Sequence, residues 1–268
     1  MQESQENSKN NLGYNPESIS RVLNWRWYKH QLTGWSKTSY ILLLTGVIIQ
    51  GAIGVMGGIT PMSITTTLAS WLGWITVLAI VENRAINGLT AIIQVVLLVY
   101  VAIVTTNYSD IFMQIVFLLL LDIPLLFSSR WKSDDKKTKG ITLKSFGTSL
   151  LWLAFFWGAL YIADTTFLPA QRPLVDSLSA AIGVVGAIYT VKKEDLSFVY
   201  WMGQSIASTT LWLITALSTP HPVWVLAFTY GMYAVNDIFA LFGPGNSWFA
   251  GMKKKIYGEK FKFESLEK

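Results

Sequence analysis

Residues 196–218 read LSFVYWMGQSIASTTLWLITALS. The stretch holds no Asp, Glu, Lys or Arg, and it is long enough to cross a bilayer as a helix, which takes ~20 mostly apolar residues. Its polar residues are not scattered. At helical spacing Trp201, Gln204, Ser205, Ser208 and Trp212 fall on one broad face. A lipid-facing surface does not spend an amide and hydroxyls this way, so the stretch reads as a span with an inward polar stripe. Two Trp rings with an amide between them suit a flat, polar ligand: the rings stack and the amide reads hydrogen-bonding edges. The alternative is a Trp at each membrane interface and Ser for close helix packing.

Similar runs lie near 39–58, 63–81, 86–105, 108–128, 146–168, 173–191 and 222–243, which makes eight expected spans. The second is the weakest, diluted by Ser63, Thr65, Thr66 and Thr67. Composition agrees: 52% of residues are hydrophobic and only 14% charged, against about 25% charged in soluble domains. The chain has no cysteine and only two histidines, His30 and His221, which excludes disulfides, thiolate metal sites, cysteine nucleophiles and histidine-rich metal sites. No catalytic residue, metal or cofactor is expected.

The net charge of +5 suggests a nucleic-acid partner until the basic residues are placed on the loops. With alternating spans, twenty of the 21 Lys and Arg fall on one side of the membrane and Arg172 alone on the other. The positive-inside rule then puts both termini in the cytoplasm of a multi-pass plasma-membrane protein. It also supports the weak second span, and it removes nucleic acid from the expected partners. The expected organisation is a cytoplasmic tail over 1–37 and an extra span over 38–58, then three spans over 60–128, a linking span over 145–168, three spans over 173–244 and a basic tail over 245–268. Within the first tail, Trp25, Arg26, Trp27, Tyr28, Lys29 and Trp35 read as an interfacial segment, and no apolar signal-peptide core precedes them. Lys253, Lys254 and Lys255 read as a juxtamembrane anchor.

The two groups of three spans resemble each other. At an offset of 110, Gly73 falls on Gly183, Val81 on Val191 and Gln94 on Gln204. At 115, Asp122-Ile123 falls on Asp237-Ile238, a slip expected in a longer loop between spans seven and eight. Gln and Asp are rare inside spans, so the polar matches carry the argument for a parallel repeat, and transporters place substrate between such halves. In span eight Tyr230, Tyr233, Asn236 and Asp237 form a stripe; in span three Asn87, Thr90 and Gln94 do. Gln114 and Asp122 line part of span four. Asp122 and Asp237, roughly 9 Å deep at the helical rise, are read as gate or structural carboxylates, with substrate contact or proton uptake as lesser readings.

These residues resemble the PnuC family of vitamin and nucleoside transporters over about residues 60–250, through Val191, Glu194, Trp201, Gln204, Trp212, Tyr233, Asn236 and Trp248. The resemblance implies an all-α integral membrane fold of 3+1+3 spans, akin to the SWEET sugar transporters with its own helix order. It implies a homotrimer in the lipid bilayer. The implied activity is facilitated diffusion of nicotinamide riboside with trapping by intracellular phosphorylation; relatives carry thiamine, riboflavin or deoxynucleosides. Trp201, Gln204, Tyr233 and Asn236 would line one half of the site and Gln94 the other, with Ser208, Trp212 and Tyr230 on the same stripes. The chain departs from the pattern where many members have Asn near the aromatic start of span seven; its nearest amide is Gln204. The Pro-Gln pair of sugar carriers is missing, which argues against a sugar. An intramembrane lipid enzyme and a ligand sensor are the competing classes; Asp122 and Asp237 lie on different spans without a histidine, which argues against the enzyme, and a sensor would bind ligand without passing it across a vesicle membrane.

Overall fold

The structure is a computed structural model describing residues 19–82, 84–127, 139–221 and 223–242. The polar start, Trp248 and the Lys253–Lys255 run lie outside these residues. A 3-10 turn, Ile19–Leu23, leads into α1 (Trp25–Leu32), α2 (Lys37–Met56), α3 (Pro61–Val81), α4 (Ile86–Val104) and α5 (Tyr108–Phe117). A π-helical turn, Leu118–Asp122, continues α5 into α6 (Ile123–Phe127), followed by α7 (Leu143–Thr166), α8 (Pro173–Val191), α9 (Leu196–Ser218) and α10 (Trp224–Phe242).

Six of these units are long and apolar enough to cross a membrane: α2, α3, α4, the continuous Tyr108–Leu126, α7 and α8. The helices α9 and α10 match them in length at 23 and 19 residues. The polar face of α9 is what lowers its hydropathy. The diluted second run is a complete helix because its start is well made. Thr60 and Ser63 form a capping box around Pro61, which satisfies the first free N–H groups. Thr142 and Ser145 do the same for α7.

Helix α4 packs between α3 and α5, and α9 between α8 and α10. The two groups meet along two seams, α5 against α8 and α10 against α3. Helix α7 covers α8, and α2 covers both α3 and α10. The close approach of α2 depends on small residues, as expected where lipid supplies no hydrophobic drive between helices. A side chain at Gly46 would meet the Trp74 indole, and one at Gly54 would meet Thr67. Trp74 Nε1 donates to the Leu42 carbonyl at 2.9 Å, and Gln50 Nε2 reaches Thr229 Oγ1 on α10 at 3.1 Å.

The slip of five between the two groups does not sit in a loop alone. Helix α9 is one turn longer than the 19-residue α4, the 219–223 connection is longer than 105–107, and the π turn takes one residue back.

The aromatic-basic segment differs from expectation. Trp25 is 77% exposed, but Trp27 and Trp35 are 1% and 6% exposed and pack with Trp74, Leu78 and Ile86. They are core residues of the protein and not interface anchors. The cause is that α1, only eight residues long, folds against the α3–α4 turn. Gln31 Oε1 accepts from the Ile86 N–H at 3.3 Å, Arg84 donates to the Thr33 carbonyl at 3.0 Å, and Arg21 donates to the Leu126 carbonyl at 2.8 Å. Glu82 accepts from the Ser36 N–H and the Ser39 hydroxyl. Burial raises the Glu82 pKa, but the Ser39 and Ser36 hydrogen bonds and the Arg84 charge outweigh it and hold the carboxyl below its ordinary value.

Candidate functional site

The polar residues of the two seams fall into two clusters. On the α3–α10 seam, Gly73 is the floor. The Tyr233 hydroxyl from α10 and the Gln94 amide from α4 converge on the space a Cβ there would fill. Trp74 stacks on Tyr233 with ring centroids 6.3 Å apart and planes 14° from parallel. Tyr230 meets Tyr233 edge-on at 5.4 Å, and Trp212 packs in the same buried cluster with Leu98 and Val101 of α4. Gln114 of α5 also approaches the Tyr230 hydroxyl. Gln94, Trp212, Tyr230 and Tyr233 are thus brought together as the sequence stripes expect.

The second cluster lies on the α5–α8 seam. Gly183 is its floor, beneath Met113 and Phe117. Gln204 Nε2 donates to Ser208 Oγ at 2.8 Å and faces Met113 Sδ at 3.7 Å, while Ser208 pairs with Ser179 of α8 at 2.8 Å. Trp201 points further toward the end of α9 that carries Asp195. Its Nε1 donates to Thr190 Oγ1 at 2.9 Å, and its ring meets Phe117 at 5.3 Å. Trp201 and Trp212 therefore share a face of α9 but serve different neighbours. Eleven residues of helix, roughly 16 Å at 1.5 Å per residue, hold their backbones too far apart to clamp one ring between them. Met113 and Phe117 had no signal in the sequence beyond an apolar run.

Asp122 and Asp237, matched by position, are not matched in bonding. Asp237 accepts from Ser205 Oγ at 2.6 Å, tying α9 to α10. In the first group the position matched to Ser205 at the repeat offset of 110 is Val95, which offers no donor. Asp122 sits at the end of the π turn, half-buried. Asn236 is also half-buried.

Asp122 and Asp237, the carboxylates singled out in the sequence, are joined by three more that the fold buries. Asp110, Asp164 and Asp176 are buried in α5, α7 and α8 at 1%, 1% and 0% exposure. Each lies within one turn of a helix end, so its place in the sequence looks interfacial. Asp176 accepts from the Ser109 and Asp110 N–H groups at 2.9 and 3.0 Å, capping α5 from a neighbouring helix. Asp164 accepts from Ser109 Oγ at 2.7 Å. Among the described residues no group of acidic and histidine side chains is placed to hold a metal ion.

At this same end Arg172 ties three connections together. Its guanidinium donates to the Thr105 carbonyl, to Asn107 Oδ1 at 3.0 Å and to Ser218 Oγ at 2.9 Å, and Asn107 Nδ2 continues to Thr215 at 3.1 Å. Several buried polar atoms in and above the first cluster make no close hydrogen bond: Tyr233 Oη, approached by Gln94; Trp212 Nε1, approached by the Tyr230 hydroxyl; and both Asp110 oxygens, approached by Gln114. Leaving such a group unpaired costs about 1–3 kcal/mol, more for a charge. They are therefore the atoms best placed to bind a polar ligand.

The sequence profile of the nicotinamide mononucleotide transporter family matches residues 63–249. A solved structure described as the crystal structure of the vitamin B3 transporter PnuC superposes with a TM-score of 0.65 at 19% identity, over 81% of this chain and 94% of that one. At that identity the likeness speaks to the fold. No curated protein matches the chain significantly in sequence.

Proposed function

The chain belongs to the nicotinamide mononucleotide transporter family, a family of membrane transporters, and on that premise we propose that it carries a dephosphorylated vitamin or nucleoside, nicotinamide riboside before others. Deoxynucleosides, thiamine and riboflavin are the alternative cargoes. The reading is of an eight-span protein in the plasma membrane, arranged as one extra span and a 3+1+3 parallel repeat, with both termini cytoplasmic. Transport is uniport by rocking of the two three-helix groups, and a cytoplasmic kinase traps the product. The resemblance adds a homotrimer.

The observation that carries the reading is the meeting of Gln94 and Tyr233 over Gly73, beside the stacked Trp74. Two helix groups there contribute an amide, a hydroxyl and an aromatic face to one place, which suits a flat heteroaromatic ring. Gln204 and Ser208, with Trp201 and Asn236 farther along, extend the polar lining on the second group. Asp237, bonded to Ser205, serves as a lock, and Asp122 as its unpaired counterpart on the gate side. A phosphate, bringing a charge of about −1.5 to −2, finds no free cation beside these two clusters among the described residues. Arg172 is held by Thr105, Asn107 and Ser218.

Uptake of labelled nicotinamide riboside into liposomes holding the purified protein tests this. Uptake down the gradient, indifferent to collapse of a pH gradient and excluding the mononucleotide, is expected. Preference for the mononucleotide, or no uptake of any vitamin or nucleoside, contradicts it.

A further inference from the structure

Of the three buried carboxylates at the Arg172 end, two have structural work. Asp176 spends both oxygens on the first N–H groups of α5, and Asp164 spends one on Ser109. Asp110 is different: it is 1% exposed, its oxygens make no close hydrogen bond and face no cation among the described residues, and the neutral Gln114 amide is the group that approaches them. Arg172, the neighbouring cation, is committed to the loop oxygens described above. The Asp110 carboxylate also lies within electrostatic reach of the Tyr230 hydroxyl, and Gln114, one turn deeper on α5, approaches that same hydroxyl. Beside Tyr230 stand Tyr233 and Trp212, whose Oη and Nε1 likewise make no close hydrogen bond.

A carboxylate buried without a countercharge is costly, and the cost falls when a positive charge enters beside it. Aromatic faces add to the attraction for a delocalised cation. From this arrangement we infer that Asp110 is the charge-selecting residue of the transport site: it favours cargo whose heteroaromatic ring carries a positive charge over neutral rings of the same shape. The inference rests on the transport reading above and narrows its cargo to the cationic class. Asp110 acts by direct attraction for the ring or its ribose edge, with Tyr230, Tyr233 and Trp212 supplying the aromatic walls. A negatively charged cargo is disfavoured for the same reason.

The test compares nicotinamide riboside, which carries a ring charge, with its reduced dihydro form, which is neutral and nearly the same shape. Affinities for both are measured by calorimetry on the purified full chain. The unmodified protein is expected to prefer the cation by roughly 30-fold or more, the usual scale for a desolvated charge pair. In Asp110→Asn that ratio falls toward one. A ratio near one in the unmodified protein overturns the inference without any variant, and so does an Asp110→Asn ratio equal to that of the unmodified protein. Uptake of thymidine or riboflavin but not nicotinamide riboside also overturns it, while leaving the transport reading standing. Binding of no vitamin or nucleoside at all overturns both.

Discussion

The two helix groups meet along two seams built from different chemistry. Where α5 runs against α8, the contact is pinned at the Arg172 end: Asp176 caps α5 through two N–H bonds, Ser109 reaches Asp164 on α7, and Arg172 ties the adjoining loops. Where α10 runs against α3, the contact is a stacked pair, Trp74 and Tyr233, above a glycine, with one hydrogen bond from Gln50 of the covering helix α2. A seam held by charged caps resists separation, whereas stacked rings over a glycine slide apart with little loss of hydrogen bonding. If the two groups rock as proposed above, α5–α8 would serve as the hinge and α3–α10 as the opening, where the bonds are fewest.

The largest effect is expected from filling the opening. Gly73→Val drives a side chain into Tyr233 and Gln94, and uptake falls on the order of tenfold to a hundredfold. Gly183→Val, its counterpart at the hinge, meets Met113, whose flexible thioether yields, and only the tip of the Phe117 ring, so uptake falls less. Equal losses in liposome assays would break the distinction between the seams. Next in size, Gln204→Ala and Trp201→Ala are expected to weaken cargo binding about tenfold while the protein still inserts in the membrane. Loss of the protein from the membrane would give both residues a structural role.

Stability should order the seams the other way. Asp176→Ala leaves two buried N–H groups of α5 uncapped and costs about 1–2 kcal/mol, read as a lower melting temperature in detergent. Gln50→Ala loses one neutral bond, about 1 kcal/mol or less. The smallest effect belongs to Glu82→Gln, at the contact between the start of α2 and the end of α3. The Glu82 pKa is lowered on folding, so its stabilisation is present above the ordinary glutamate pKa and is lost as pH falls through the folded value. The melting-temperature difference between this variant and the unmodified protein is therefore expected at neutral pH and should vanish in acid.

Helix positions were largely legible because apolar runs and capping residues are local signals, as at Thr60-Ser63 and Thr142-Ser145. The polar stripes of α9 and α10 were legible for the same reason. What each side chain does was not, because it depends on the helix opposite. Gln204 is held by Ser208, whereas position 98, its counterpart beside Gln94, is Leu, so Gln94 turns to Tyr233 and Gly73 instead. Trp27 and Trp35 look interfacial by composition and become core only through the fold of α1 onto α3 and α4. Asp110, near a span end, looks like solvated punctuation until α5 is seen docked on α8.

The chain has no cysteine, so single pairs of spin labels can be placed cleanly. One pair on the exposed positions Ile80 of α3 and Ile238 of α10 reports the opening, and a pair on Leu119 and Lys192 reports the hinge. Pulsed distance measurements on the protein in lipid, with and without saturating nicotinamide riboside, should show the 80–238 distribution shift while the 119–192 distribution holds. A shift across 119–192 with 80–238 fixed would contradict the assignment of hinge and opening.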